Sequence, residues 1–337
     1  MLIALLLSFV LIFCVLFVTL KLIQIFTYKY YQEISENKDI EIEKEPDQIK
    51  FLQYNVFWRP FLLHIGKREY VKSRSCCLSK NVEKYDVLCL NEAFCFGSNT
   101  VSEFVERLKS VGFKYFVSNK PVKILSKKVI DSGVLIASKY PIIETSNITY
   151  SKGCSFDDFA SKGAVYAKIK IGKDKTINVF STHLQASYVV VTDVDYNVRD
   201  SQAKELQKFI SYHIKNDSSP TFLLGDMNIN SINEEREYQN LLKNLQVPSF
   251  KLFDTLGDEH PVTIAEVVDG KTVEPALTQN SDLNLPKSID YIFYYQPETK
   301  QNSKFKSQIN KFKQITKDHP YTHLSDHYAV ECTYDLI

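Results

Sequence analysis

The chain lacks an excess of either charge: 41 Lys and Arg stand against 40 Asp and Glu over 337 residues, and no long basic block occurs along it. That balance excludes the broad phosphate-attracting field of a nonspecific nucleic-acid binder, while a local basic groove stays compatible with it. Internal repeats and low-complexity inserts are missing too, which excludes repeat arrays and points to one mixed α/β domain after the N-terminal segment. Seven cysteines show no paired spacing: Cys14 lies in an apolar run, Cys76 and Cys77 are adjacent, and Cys89 and Cys95 flank a candidate strand. No disulfide framework emerges, and mostly reduced, buried thiols are expected.

Charge is absent altogether from Leu2 to Leu20. At about 1.5 Å of rise per residue, a helix over this run matches the ~30 Å hydrocarbon layer of a bilayer. No basic region precedes it, and Thr19-Leu20-Lys21-Leu22-Ile23-Gln24 offers no small-x-small cleavage site, so an uncleaved anchor is expected ahead of a cleaved signal peptide with secretion. Lys21 and Lys29 follow the run and favour a cytosolic catalytic domain. The expected division is an anchor over residues 1–27, a charged tether over 28–49 and a catalytic domain over 50–337.

What is abundant is core material: 44% hydrophobic residues, with 22 Phe and 20 Tyr. Short β-like runs at Lys50–Tyr54, Val87–Leu90, Gly133–Ser138, Ala164–Ile171, Ile177–Ser181, Thr221–Leu224, Ile289–Tyr294 and Tyr328–Thr333 alternate with helical patterns. Helices are expected over Val101–Ser110, over Ser201–Lys215 with Asp200 as N-cap, and over Glu234–Leu245. Helices outside two packed sheets give a four-layer α/β/β/α sandwich. Six of the strand candidates begin or end at Asn55, Glu92, His183, Asp226 with Asn228, Asp290, and Asp326 with His327. A strand end is where a rigid sheet hands a polar side chain to solvent, and carboxylate, amide and imidazole suit a hard metal ion and an activated water.

The motifs Gln53-Tyr54-Asn55-Val56, Leu90-Asn91-Glu92, Ser181-Thr182-His183, Gly225-Asp226-Met227-Asn228, Ile289-Asp290-Tyr291 and Ser325-Asp326-His327 resemble the endonuclease/exonuclease/phosphatase superfamily in order and spacing from Lys50 onward. That resemblance implies a DNase I-like four-layer sandwich and Mg²⁺-dependent cleavage of phosphate esters. Phe156-Asp157-Asp158-Phe159-Ala160-Ser161-Lys162-Gly163 is similar to a segment of neutral sphingomyelinases in which an Asp and a Lys five residues on act as a switch near the site; Asp157 and Lys162 have that spacing.

This branch implies hydrolysis of sphingomyelin to ceramide and phosphocholine at a membrane surface, without a stable nucleic-acid partner. It implies Glu92, Asn55 and Asp326 as ligands of Mg²⁺, with Mn²⁺ as a substitute, and His327 as general base oriented by Asp290. Asp226 and Asn228 would hold the attacking water or a second metal, and His183 would donate to the phosphate. Which of Asp226 and His327 takes the proton is open at this level. Phe57 and Trp58, in the stretch Phe57–Leu63, are expected at a membrane-contacting rim, and Lys304–Lys317 reads as a lipid-attracting or solvated basic segment. The alternatives are a DNA endonuclease of the same superfamily, or a phospholipase C-like enzyme acting on inositol phosphosphingolipid or lysophospholipid.

Overall fold

A computed structural model describes residues 2–336 apart from 38–39, 43, 61–69, 121–125, 189–191, 265–266, 269–270, 273, 275–276, 278–285, 300–302 and 314–318. The apolar run forms helix α1 (Leu2–Thr27), apolar on all sides and long enough to cross a bilayer. Two sheets follow. The first joins β1 (Gln32–Glu33), β4 (Tyr115–Ser118), β5 (Leu135–Ser138), β3 (Val87–Ala93), β2 (Gln48–Trp58), β15 (Ala329–Asp335) and β14 (Phe305–Asn310), in that spatial order. The second joins β10 (Phe250–Asp254), β13 (Asp290–Pro297), β9 (Thr221–Asp226), β8 (Thr176–His183), β7 (Gly163–Lys170) and β6 (Ile142–Thr149). A small hairpin, β11 (Val267–Val268) with β12 (Lys271–Thr272), stands apart.

Strand alternation explains the layers. Ile49, Phe51, Val87, Cys89, Ile177, Val179, Phe222, Leu224, Ile292 and Tyr294 fill the space between the sheets, whereas their neighbours one residue on face the helices. Leu52, Tyr54, Leu88 and Leu90 pack under α2 (Val71–Ser79) and α3 (Thr100–Ser110). Phe180, Leu223, Tyr291 and Phe293 pack under α4 (Asp193–Ile214) and α5 (Glu235–Asn244). The result is the expected α/β/β/α sandwich.

Three expectations change. Helix α4 begins eight residues before Ser201, because Thr192 and Asp195 close a reciprocal capping box; Asp200 lies inside the helix and holds Lys204 and Asn244. Trp58, expected on a rim, is 1% exposed: it shares the parity of Leu52, Tyr54 and Val56, so its ring points under the helices and packs edge-on against Phe104. Part of the basic segment 304–317 is edge strand β14, zipped along β15, while residues 314–317 lie outside the described set, as do residues 61–63 of the aromatic stretch. In the segment read as a tether, Gln32 and Glu33 pair with Val117 and Phe116, Tyr31 is buried, and Glu45 pairs with Lys175 at 2.9 Å. All seven cysteines are free, with Cys89, Cys95 and Cys332 buried.

Candidate active site

The inward-facing parity that builds the intersheet core turns polar at one edge of the sandwich. In β2 it runs from Phe51 through Gln53 to Asn55, in β8 from Val179 through Ser181 to His183, in β9 from Leu224 to Asp226, and in β13 from Ile292 to Asp290. Registers bring these ends together: His183 pairs with Asp226, and Asp226 with Asp290. Gly225 makes the β8–β9 approach feasible, since a Cβ there would lie 2.3 Å from Thr182 O. Glu92 departs from the alternation through a left-handed φ of 54°, packed over Gly133, whose own φ is +67° and whose added Cβ would meet Glu92 Cα at 3.1 Å.

All the predicted catalytic and metal-ligating residues converge. Nδ1 of His327 lies 2.8 Å from Asp290 Oδ2, and its Nε2 is 4.0 Å from Asp226 Oδ2. Asn55 Nδ2 donates to Glu92 Oε1 at 3.1 Å and to Asp226 Oδ2 at 2.9 Å, so one amide bridges carboxylates from both sheets. Its Oδ1 accepts from Phe57 N at 3.1 Å. Asn228 N donates to Asp226 Oδ1 at 2.9 Å from a left-handed turn, a conformation Asn tolerates. Asp326 accepts from Ser325 Oγ at 3.2 Å. Phe57 is buried, with the Arg59 guanidinium over its ring, and lines the cavity above these groups.

Across the floor, Lys162 Nζ reaches Asp157 Oδ2 at 2.9 Å, His183 Nε2 at 3.1 Å and Leu184 O at 2.6 Å. Asp157 also accepts from Ala186 N and the Tyr188 hydroxyl. Asp157 and Lys162 are therefore in contact, and Lys162 is tied directly to His183.

The two sides differ electrostatically. Burial would lower the pKa of His327, but Asp290, Asp326 and Asp226 outweigh it and hold the imidazole well above its ordinary value. Burial, then Lys162 and His327, push His183 well below it. Asp226 is pushed up to about 7 by burial and by Asp290. Among the described residues, Asp226, Asp290 and His327 offer ligand atoms within 4.8 Å of one another, a group that contains none of Glu92, Asn55 and Asp326, the ligands expected from sequence. Oδ1 of Asp290 is buried without a hydrogen-bond partner. Four gathered carboxylates, Glu92, Asp226, Asp290 and Asp326, with one unpartnered acceptor make a hard-oxygen basin that fits a divalent cation such as Mg²⁺.

Sequence reasoning missed the residues that lock this geometry. Arg74, fully buried, donates from Nη1 to Val56 O and Leu324 O, both at 2.7 Å, and from Nη2 to Phe57 O, clamping the end of β2 that carries Asn55 to the loop that carries Asp326. Thr263 Oγ1 accepts from Asp290 N at 3.3 Å while its carbonyl accepts from Tyr328 N at 2.6 Å. Asn91 accepts from Gln53 and from Asp226 N, and donates to Thr182 O, stitching the sheets. Its inward parity was a usable signal. Arg74 and Thr263 had none, because their partners are distant in sequence.

Residues 52–327 match the model of the endonuclease/exonuclease/phosphatase family. The chain belongs to that family. Within it the chain falls in the sphingomyelinase branch: it is 32% identical to sphingomyelinase C of Bacillus cereus over 81% of each chain, and 28% identical to a sphingomyelinase of Dictyostelium discoideum over 80% of this chain and 75% of that one. SmcL shares the fold, at 22% identity with a TM-score of 0.68 over 86% of this chain and all of its own, as does a Staphylococcus aureus beta-toxin variant with bound magnesium ions, at 24% identity, TM-score 0.68 and the same coverage. This family member is a phosphodiester hydrolase of sphingomyelinase type.

Proposed function

We propose that the chain is a Mg²⁺-dependent, membrane-anchored sphingomyelin phosphodiesterase, releasing ceramide and phosphocholine. The carrying observation is the His327–Asp290 pair, at 2.8 Å, facing Asp226 across a 4.0 Å gap at the floor of a cavity whose mouth is apolar. A gap of that size suits one bridging water. In this reading His327 Nε2 takes that water's proton as its oxygen attacks phosphorus, while Asp290 holds the ring and Asp226 and Asn228 orient the water. The P–O bond to ceramide breaks, and the departing oxygen takes a proton from solvent.

Glu92, Asp226, Asp290, Asp326 and Asn55 would hold the metal. Bound there, Mg²⁺ supplies positive charge that offsets the carboxylates otherwise keeping His327 protonated, and the charge growing on the phosphoryl group and leaving oxygen. His183, kept neutral, accepts at Nε2 from Lys162, whose ammonium also donates to Asp157 and Leu184 O and sets positive charge opposite the carboxylate basin. Phe94, Phe156, Phe159 and Tyr188 line the cavity and supply aromatic rings suited to a quaternary ammonium. The residue types at Glu92 and His327 serve any phosphodiester, so the substrate reading rests on the relatives and on the apolar mouth. The test gives the purified chain and Mg²⁺ sphingomyelin, phosphatidylcholine, inositol phosphosphingolipid and plasmid DNA in parallel. Phosphocholine release from sphingomyelin above the other lipids is expected; DNA nicking without phosphocholine release contradicts the reading.

A further inference from the structure

Helix α1 is apolar all round, yet its sides are not equivalent. Phe13, Leu16, Phe17 and Leu20 recur at the spacing of one helix stripe and line the active-site cavity together with Glu92, Asp226 and His327. The C-terminal end of the helix is docked on the catalytic domain. Lys21 Nζ donates to Lys128 O at 2.7 Å, Gly97 N donates to Thr27 Oγ1 at 2.9 Å, and the Tyr28 hydroxyl donates to Asn119 O. These bonds tie the end of the stripe nearest Lys21 beside the site.

Facing the same cavity stand Val129, Ile130, Phe156 and Phe159. Phe13 is 69% exposed, Leu16 54%, Phe156 66% and Phe159 51%, so apolar surface flanks the mouth of a polar basin on two sides. Val15 and Val18, also exposed, lie on the helix surface turned away from the stripe. The stripe occupies the last two turns before Lys21, the first charged residue after the apolar run.

Resting on the sphingomyelinase reading, we infer that α1 is one wall of the substrate channel as well as an anchor. The two hydrocarbon chains of the lipid lie between the Phe13–Leu20 stripe and the Phe156–Phe159 turn while the phosphodiester reaches His327. A phosphorus atom that must approach a buried imidazole leaves its attached chains in the mouth of the cavity, and α1 is the apolar surface there that continues into the bilayer. The lipid thus moves along α1 into the site without its chains crossing water.

The test uses the full chain in vesicles and reads the ratio of kcat/KM for long-chain sphingomyelin to kcat/KM for a water-soluble phosphocholine ester. The pair Leu16→Asn with Phe17→Asn lowers that ratio about tenfold, mainly through KM for the lipid. The pair Val15→Asn with Val18→Asn, equally polar on the opposite surface, changes it by no more than about twofold. Equal losses from both pairs reduce α1 to an anchor and overturn the inference, as does an unchanged ratio in the first pair. Failure of the unaltered chain to release phosphocholine from either substrate would instead remove the sphingomyelinase reading itself, and the inference with it.

Discussion

His183 and His327 are the same side chain at the same depth, each 3% exposed at the floor of one cavity, yet their surroundings hold them in opposite charge states. Around His327 stand Asp290, Asp326 and Asp226, and their combined field overrides the desolvation that would strip its proton. Around His183 stand Lys162 and His327 itself, which add to desolvation and keep it neutral even with Asp226 Oδ2 at 3.6 Å from its Nε2. Burial alone therefore says little about a histidine's role; the balance of the surrounding charges against it decides. One imidazole is set up to exchange a proton. The other donates or accepts hydrogen bonds without titrating.

The comparison breaks most visibly at His327. His327→Ala should lower phosphocholine release on the order of 10⁴-fold with an unchanged circular dichroism spectrum, since it removes the proton acceptor. Asp290→Asn keeps the ring but loses its orienting charge, for a loss on the order of 10³-fold. A His327→Ala enzyme with near-normal turnover would transfer the base to Asp226. On the opposite side, Lys162→Met should cost on the order of 10²-fold by removing the positive charge beside the phosphate and the hydrogen bond that holds His183. The same substitution should raise the His183 pKa toward its ordinary value, followed by NMR, because one of the charges depressing it is gone.

A smaller effect appears in stability. Asp226 titrates at about 7 in the folded chain, above its unfolded value, so the native state keeps a proton that the unfolded chain releases in acid. Its favourable contribution is complete below about pH 4 and is lost as pH rises through about 7. His327, also raised, adds a contribution complete below its unfolded value and lost as pH rises through its folded one. Metal-free protein should therefore lose Tm between about pH 6 and about pH 8, and Mg²⁺ should raise Tm more at the higher pH. Equal stabilisation at both would mean that the cation does not compete with these protons.

Much of this was legible beforehand because parity is a local property. Once Phe51, Val179 and Leu224 are read as core, the same alternation carries the chain to Asn55, His183 and Asp226. The motif order then placed these residues on one edge. Parity was also the signal overlooked at Trp58, where aromatic character suggested an interface and the even-numbered series Leu52, Tyr54, Val56 pointed to the helix-covered core. Edge strand β6 escaped because most of its residues are only partly buried, without a buried–exposed alternation, and its sequence, Ile142–Thr149, is largely polar. Arg74 and Thr263 escaped for a different reason: each acts on carbonyls or amides whose proximity exists only after the sheets have packed. The wall formed by α1 has the same character, since a uniformly apolar helix gives no sign of which side meets the cavity.

The most direct test of the opposed histidines is an NMR titration of the full chain with labelled histidine, with His327→Ala and His183→Ala used for assignment. Without metal, the account predicts that the His327 imidazole titrates well above the ordinary value of about 6.5 and that His183 stays neutral well below it, with Mg²⁺ shifting His327 downward. Two imidazoles titrating together near that ordinary value, or in the reverse order, would contradict it.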